Sequence, residues 1–138
     1  VTSLATLFPL PYMPLYNAGK SGLSSFTQSL MLEYPENPKL VDFRLGDIRT
    51  SFNQSAPKQK DLKQTESMKR AWIKIERQLE ESPLPKVAAI QLMGVLQKSR
   101  AGVFYGGGWF QSFFAPLIAR VLPFSFLKIA LKMQYGLP

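Results

Sequence analysis

The chain has 138 residues, 46% hydrophobic and 12% aromatic, with 17 Lys and Arg against 9 Asp and Glu, for a formal charge of +8. That length suits one domain, and so apolar a composition excludes an intrinsically disordered chain. With no cysteine and no histidine, disulfides, thiolate metal sites and imidazole chemistry are excluded, so any proton transfer falls to Tyr, Lys or a carboxylate.

Val1-Thr2-Ser3-Leu4 reads as the end of a strand. With Ala5 it forms neither a basic n-region nor a long apolar h-region, so no signal peptide is visible, and a start at Val1 rather than Met reads as a beginning within a longer protein. A loop punctuated by Pro9, Pro11 and Pro14 follows, because proline fixes φ and removes a donor. From Leu15 to about Tyr34 the apolar positions Leu23, Phe26, Leu30 and Met31 recur at helical spacing, and Pro35 and Pro38 end the helix.

Lys39 to Leu45, with Leu40, Val41 and Phe43, is compatible with a buried strand of a parallel sheet, and Gly46 opens a turn. Thr50 to Gln64 is polar, carries Pro57 and reads as a mobile loop. Glu66 to Leu79 places Met68, Ala71, Trp72, Ile75 and Leu79 on a helical period. Pro83 and Pro85 introduce a further helix over Lys86 to Gln97, apolar on more than one side and so expected to be mostly buried. Ala101 to Tyr105 reads as a last strand, broken by Gly106-Gly107-Gly108 before an aromatic stretch from Trp109.

The order strand, helix, strand, helix, helix, strand argues for an α/β domain with a mainly parallel sheet. Three strands with these helices would not cover both faces, so further chain or a partner is expected to complete the layer. No internal repeat or low-complexity tract is present. The basic residues are dispersed, with a mild cluster from Lys58 to Lys74 and no nucleic-acid module around them, so a solvated basic face and no nucleic-acid partner are expected.

Tyr16 and Lys20 lie four positions apart on one helix, hence on one face. An ammonium about 4 Å from a phenol favours phenolate by roughly 4 kcal/mol at an effective dielectric near 20, which suits the phenol to acid/base work near neutral pH. Ser3, thirteen positions before Tyr16, sits at a strand end from which a hydroxyl would reach the same cleft. A Tyr-x-x-x-Lys pair by itself more often marks an ordinary helix surface.

The joint pattern is more specific. Thr2-Ser3, Pro9, Pro11, Tyr16-Asn17-Ala18-Gly19-Lys20-Ser21-Gly22-Leu23, then Phe26 and Leu30 resembles the active-site segment of short-chain dehydrogenases/reductases. Gly46-Asp47-Ile48-Arg49-Thr50 is similar to the family's Pro-Gly-x-Ile/Val-x-Thr segment, with Leu45 in place of the proline. The resemblance implies that Ser3, Tyr16 and Lys20 are a catalytic triad: Tyr16 transfers the proton, Lys20 lowers its pKa and holds the nicotinamide ribose, and Ser3 orients the carbonyl. It implies that Ile48 and Thr50 join Tyr16 and Lys20 in binding the cofactor, NADP with NAD as the alternative.

In element order the resemblance covers residues 1–105, the catalytic half of a Rossmann-like, doubly wound domain. The family's glycine-rich fingerprint and its Asn-Asn-Ala-Gly segment precede the serine and do not occur in this sequence, and the Gly106 run opens no phosphate-binding helix in the family's order. On the order of one hundred further residues are therefore expected upstream, without which the chain would be inactive. The implied activity is that of a carbonyl reductase or alcohol dehydrogenase on a lipophilic ketone or secondary alcohol, in lipid or secondary-metabolite biosynthesis. The alternative is a non-catalytic remnant or binding module of the same fold.

Residues 106–138 form an apolar tail in which Pro116, Arg120 and Pro123 interrupt any long apolar run. It is expected to cover the substrate cleft, to pack on another subunit, or to lie at a membrane surface through 109–135. A cytoplasmic protein, peripheral to a membrane or free, and a homo-oligomer with the Tyr16 helix in its interface complete the expectations; a basic lipid-surface protein without redox chemistry would leave the Ser3, Tyr16 and Lys20 spacing unexplained.

Overall fold

A computed structural model describes residues 1–50 and 64–138. Most of the expected 50–64 loop lies outside these residues. Three parallel strands, β1 (Thr2–Ser3), β2 (Val41–Leu45) and β3 (Gly102–Gly106), form one sheet in the order β1-β2-β3. The described helices are α1 (Pro14–Glu33), α2 (Glu66–Glu80), α3 (Pro85–Gln97), α4 (Trp109–Val121) and α5 (Phe124–Tyr135). The α/β class and the parallel sheet therefore agree with the reading of the sequence.

The strand ends differ in detail. β1 stops at Ser3, whose side chain caps a 3-10 turn over Leu4–Thr6 by accepting the Ala5 amide. β3 runs one residue further than expected, because Gly106 still pairs with Leu45. A side chain at Gly106 would collide with the Phe43 ring, its Cβ only 2.3 Å from Cζ.

Successive strand residues point to opposite faces, and on β2 this separates two kinds of packing. Asp42 and Arg44 project toward α1, where Asp42 is 1% exposed. Its carboxylate accepts hydrogen bonds from Thr2 Oγ1 of β1, from Ser24 Oγ of α1 at 2.6 Å and from Arg44 Nε at 3.0 Å. Arg44 Nη2 also donates to Ser24 Oγ at 2.9 Å, and the guanidinium lies over the Tyr105 ring. Phe43 points the other way, toward Gly106 and Gln91 of α3.

A second centre joins α2 to α5. Ala71, Ile75 and Tyr135 are buried together, with Leu10, Trp72, Leu79, Leu131 and Leu137 around them. The periodic apolar face expected of α2 is the face used here. Its start is set by Thr65, whose hydroxyl accepts the Met68 amide, and Lys74 Nζ reaches the Met133 carbonyl at 3.2 Å.

The expectation that α3 is mostly buried is corrected. None of its residues is fully buried, and Ile90, Met93 and Leu96 are exposed. α3 rests against the outermost strand, β3, so only one side of an all-round apolar helix has anything to pack on. α1 is similarly open: Ser24 is its one buried residue, and Leu15 is 88% exposed.

Burial opposes the charge on Asp42, but hydrogen bonds from Ser24, Thr2 and Arg44 and the Arg44 charge outweigh it and hold the pKa below the ordinary 3.8. Because the folded value is depressed, this stability is present above pH 3.8 and is lost as pH falls below it. Asp42→Ala is expected to cost about 3–5 kcal/mol in urea unfolding at neutral pH, since it strands a buried guanidinium. The difference from the parent chain should shrink in acid, and an unchanged unfolding midpoint at neutral pH would contradict this role for the network.

Candidate active site

The carboxyl ends of β1 and β2 open into a cleft of about 270 Å³ whose lining includes Ser3, Tyr16, Lys20, Ile48 and Thr50. All five residues singled out in the sequence thus meet at one place. Ser3 arrives from the end of β1, Tyr16 and Lys20 from the first two turns of α1, and Ile48 and Thr50 from the segment after β2. Clefts beyond the carboxyl ends of parallel strands are where open α/β sheets bind ligands.

On α1 the four-residue spacing has its expected result, with Lys20 Nζ over the Tyr16 ring, 5.8 Å from the centroid. Both side chains are half-buried. Ser3 Oγ accepts the Ala5 amide at 3.1 Å, an arrangement compatible with its own proton being given to a ligand. Asn17 clamps the preceding loop to the helix: its Nδ2 donates to the Leu10 carbonyl at 2.8 Å, and its Oδ1 accepts the Leu10 amide at 3.2 Å. The loop also holds Tyr12 at φ 61, in the left-handed region.

The turn after β2 is braced by side-chain amides. Gln111 of α4 accepts the Asp47 backbone N–H at 3.1 Å and donates to Asp47 Oδ2 at 2.6 Å, while Gln78 of α2 donates to the same oxygen at 2.5 Å. Gln134 of α5 donates in turn to Gln78 Oε1 at 3.0 Å. Gly46 lets Gln111 approach, because a Cβ there would lie 2.4 Å from Gln111 Oε1.

The glycine run after β3 is closed by the same residue type. Gly107, at φ 118, exchanges two hydrogen bonds with the Gln91 amide, and Gly108 N–H donates to Gln111 Oε1 at 3.4 Å. The backbone amides leading into α4 therefore meet glutamine side chains.

Next to the cleft lies a second cavity of about 320 Å³, bounded by Ser3 and Asp47 on one side and by Phe110, Ala115, Ile118 and Leu127 of α4 and α5 on the other. The two share Ser3, Leu10, Leu45, Gly46, Asp47, Gln78 and Tyr135. The apolar tail thus folds into two helices that wall a largely apolar chamber beside Ser3. Tyr135, at the junction, has its pKa pushed up to about 12, first by burial and then by the nearby Asp47 carboxylate, so its phenol is neutral at physiological pH.

Among the described residues, no group of His, Cys, Asp or Glu is placed to hold a metal ion. Gln78, Gln91, Gln111, Asp47 and Tyr135 were not among the candidates from sequence; their roles depend on contacts between distant segments. No protein-family description, curated protein or solved structure matches this chain.

Gly46→Ala is expected to force the Gln111 amide aside and remove its bonds to Asp47, lowering stability by about 1–2 kcal/mol. Adding Gly46→Ala to a Gln111→Ala chain should then cost less than it does alone, which a double-mutant cycle in urea measures. For Tyr135 the folded pKa is raised, so the stability it contributes is complete below pH 10 and is lost as pH rises toward 12. Phenolate absorbance should show one tyrosine ionising late, together with unfolding, and Tyr135→Phe should remove that step.

Proposed function

We propose that this chain is the catalytic half of a nicotinamide-dependent oxidoreductase, similar to the short-chain dehydrogenases/reductases, that interconverts a lipophilic ketone and its secondary alcohol. The observation that carries the reading is the meeting of Ser3, Tyr16 and Lys20 in one cleft with Ile48 and Thr50. In this reading the three strands are the C-terminal part of a Rossmann-like, doubly wound sheet. Residues 1–105 supply the catalytic groups, and 106–138 the cover over the substrate.

The groups present fit the nicotinamide-ribose end of a dinucleotide. The Tyr16 hydroxyl and the Lys20 ammonium are donors suited to ribose hydroxyls, and Thr50 and the backbone around Ile48 offer polar partners for a carboxamide. NADP is the proposed cofactor, with NAD as the alternative, and when bound it supplies or accepts the hydride. Ser3 donates to the substrate oxygen and fixes the carbonyl. Tyr16 gives its proton to that oxygen in reduction and takes it back in oxidation, and Lys20 stabilises the phenolate left behind. The apolar chamber beside Ser3 accepts the hydrocarbon part of the substrate and keeps water from the reacting oxygen.

A second reading, a non-catalytic binding module, is favoured by one observation: the 320 Å³ cavity beside the cleft is lined mainly by apolar side chains, many of them from α4 and α5. Fluorescence titration with NADPH separates the two, performed on this chain and on the chain extended upstream in its native reading frame. Oxidoreductase function predicts NADPH binding and ketone reduction by the extended form, with Tyr16→Phe lowering turnover by about 100- to 10,000-fold while NADPH binding persists. Failure of both forms to bind NADPH, with a lipophilic ketone still bound, would favour the binding module.

A further inference from the structure

The inner faces of α4 and α5 wall the apolar chamber, but their outer faces are also apolar. On α5, Leu127, Ala130, Leu131 and Gln134 face the cavity. Phe126, Ile129 and Met133, on the opposite side, are exposed, Met133 at 74%. Trp109, Phe113 and Leu117 form a comparable row on α4, with Trp109 70% exposed. So many large exposed side chains on adjacent helices exceed the scattered apolar residues of an ordinary surface.

The charged side chains carried by α4 and α5 themselves have one sign. The last acidic residue of the chain is Glu81, and beyond it come Lys86, Lys98, Arg100, Arg120, Lys128 and Lys132 with no Asp or Glu among them. Arg120 falls three positions after Leu117 and seven after Phe113, in the apolar row of α4. Lys128 and Lys132, one turn apart, flank Ile129 on α5. No helix of the described residues is long and apolar enough to cross a membrane. Short helices with aromatic rows bordered by Lys and Arg suit the plane of a lipid headgroup layer, where the rings enter the acyl boundary and the cations meet anionic headgroups.

We propose that the outer faces of α4 and α5 dock on an anionic lipid surface, with Trp109, Phe113, Phe126, Ile129 and Met133 inserted and Arg120, Lys128 and Lys132 against the headgroups. The charge decides for this occupant over a second copy of the chain, since two such faces brought together would set like charges against each other. Docking places the apolar chamber directly beneath the lipid surface, and it holds whether or not the cleft performs redox chemistry.

The test is sedimentation of the chain with vesicles of phosphatidylcholine alone and of phosphatidylcholine with phosphatidylglycerol, read alongside tryptophan fluorescence of a Trp72→Phe chain in which Trp109 is the sole indole. Sedimentation with the anionic vesicles only, a blue shift of Trp109 and weakening by added salt are expected. Lys128→Glu with Lys132→Glu should weaken binding at least about tenfold, with circular dichroism unchanged. Equal binding to both vesicle types, or anionic binding indifferent to the two reversals, would overturn the proposal. So would a Trp109 blue shift that grows with protein concentration without lipid, which would assign the face to a second copy.

Discussion

Asp42 is a carboxylate placed where water cannot reach it, and such a group is tolerated only if other partners take over its hydration. Here they come from three elements: Thr2 of β1, Ser24 of α1 and Arg44 of β2 itself. The position of the site follows. In a parallel pair with a side-chain period of two, turning Thr2 toward Asp42 turns Ser3 to the other face, and a one-residue slip would reverse both. The bond to Ser24 fixes α1 against the same strand, one turn beyond Lys20 and two beyond Tyr16. One buried anion thus sets the strand that carries Ser3 relative to the helix that carries Tyr16.

The far side of the cleft is held differently, by neutral amides. Asp47 receives Gln78 and Gln111, and Gly107 is bracketed by Gln91. Asp47 nevertheless acts at a distance, since its charge helps keep the Tyr135 phenol protonated. An anion with a cation partner lies between the sheet and α1, and an anion held by amides lies at the cleft. The first is a structural centre, and the second gives the junction of the two cavities its polarity.

Much of this was legible in the sequence because it depends on local spacing. Prolines bounded α1, the apolar period marked α2, and the four-residue step from Tyr16 to Lys20 put both on one face. The short strand at Ser3 was legible as well, since a strand end followed by a proline-rich loop has few alternatives. What was not legible depends on contacts across long stretches of chain. Glutamine has no periodic signature, so nothing marked Gln111, 64 positions from Asp47, as the brace of its turn. Tyr135 looked like the last aromatic of an apolar tail. α3 misled for a related reason: composition records how apolar a helix is, whereas burial also requires something to pack against, and β3 covers only one side of it.

Gln111 also bears on how this fold could be altered. It stands in the third position of α4, in a tail that by composition looks interchangeable, yet its side chain shapes the turn that carries Ile48 and Thr50. Exchanging residues 106–138 for another hydrophobic cover, as one would to change the shape of the chamber, would therefore disturb the opposite wall of the cleft unless the replacement offered an amide at the same height. The shape of the chamber and the geometry of the cleft are tied through a single side chain, and a graft must treat them as one part.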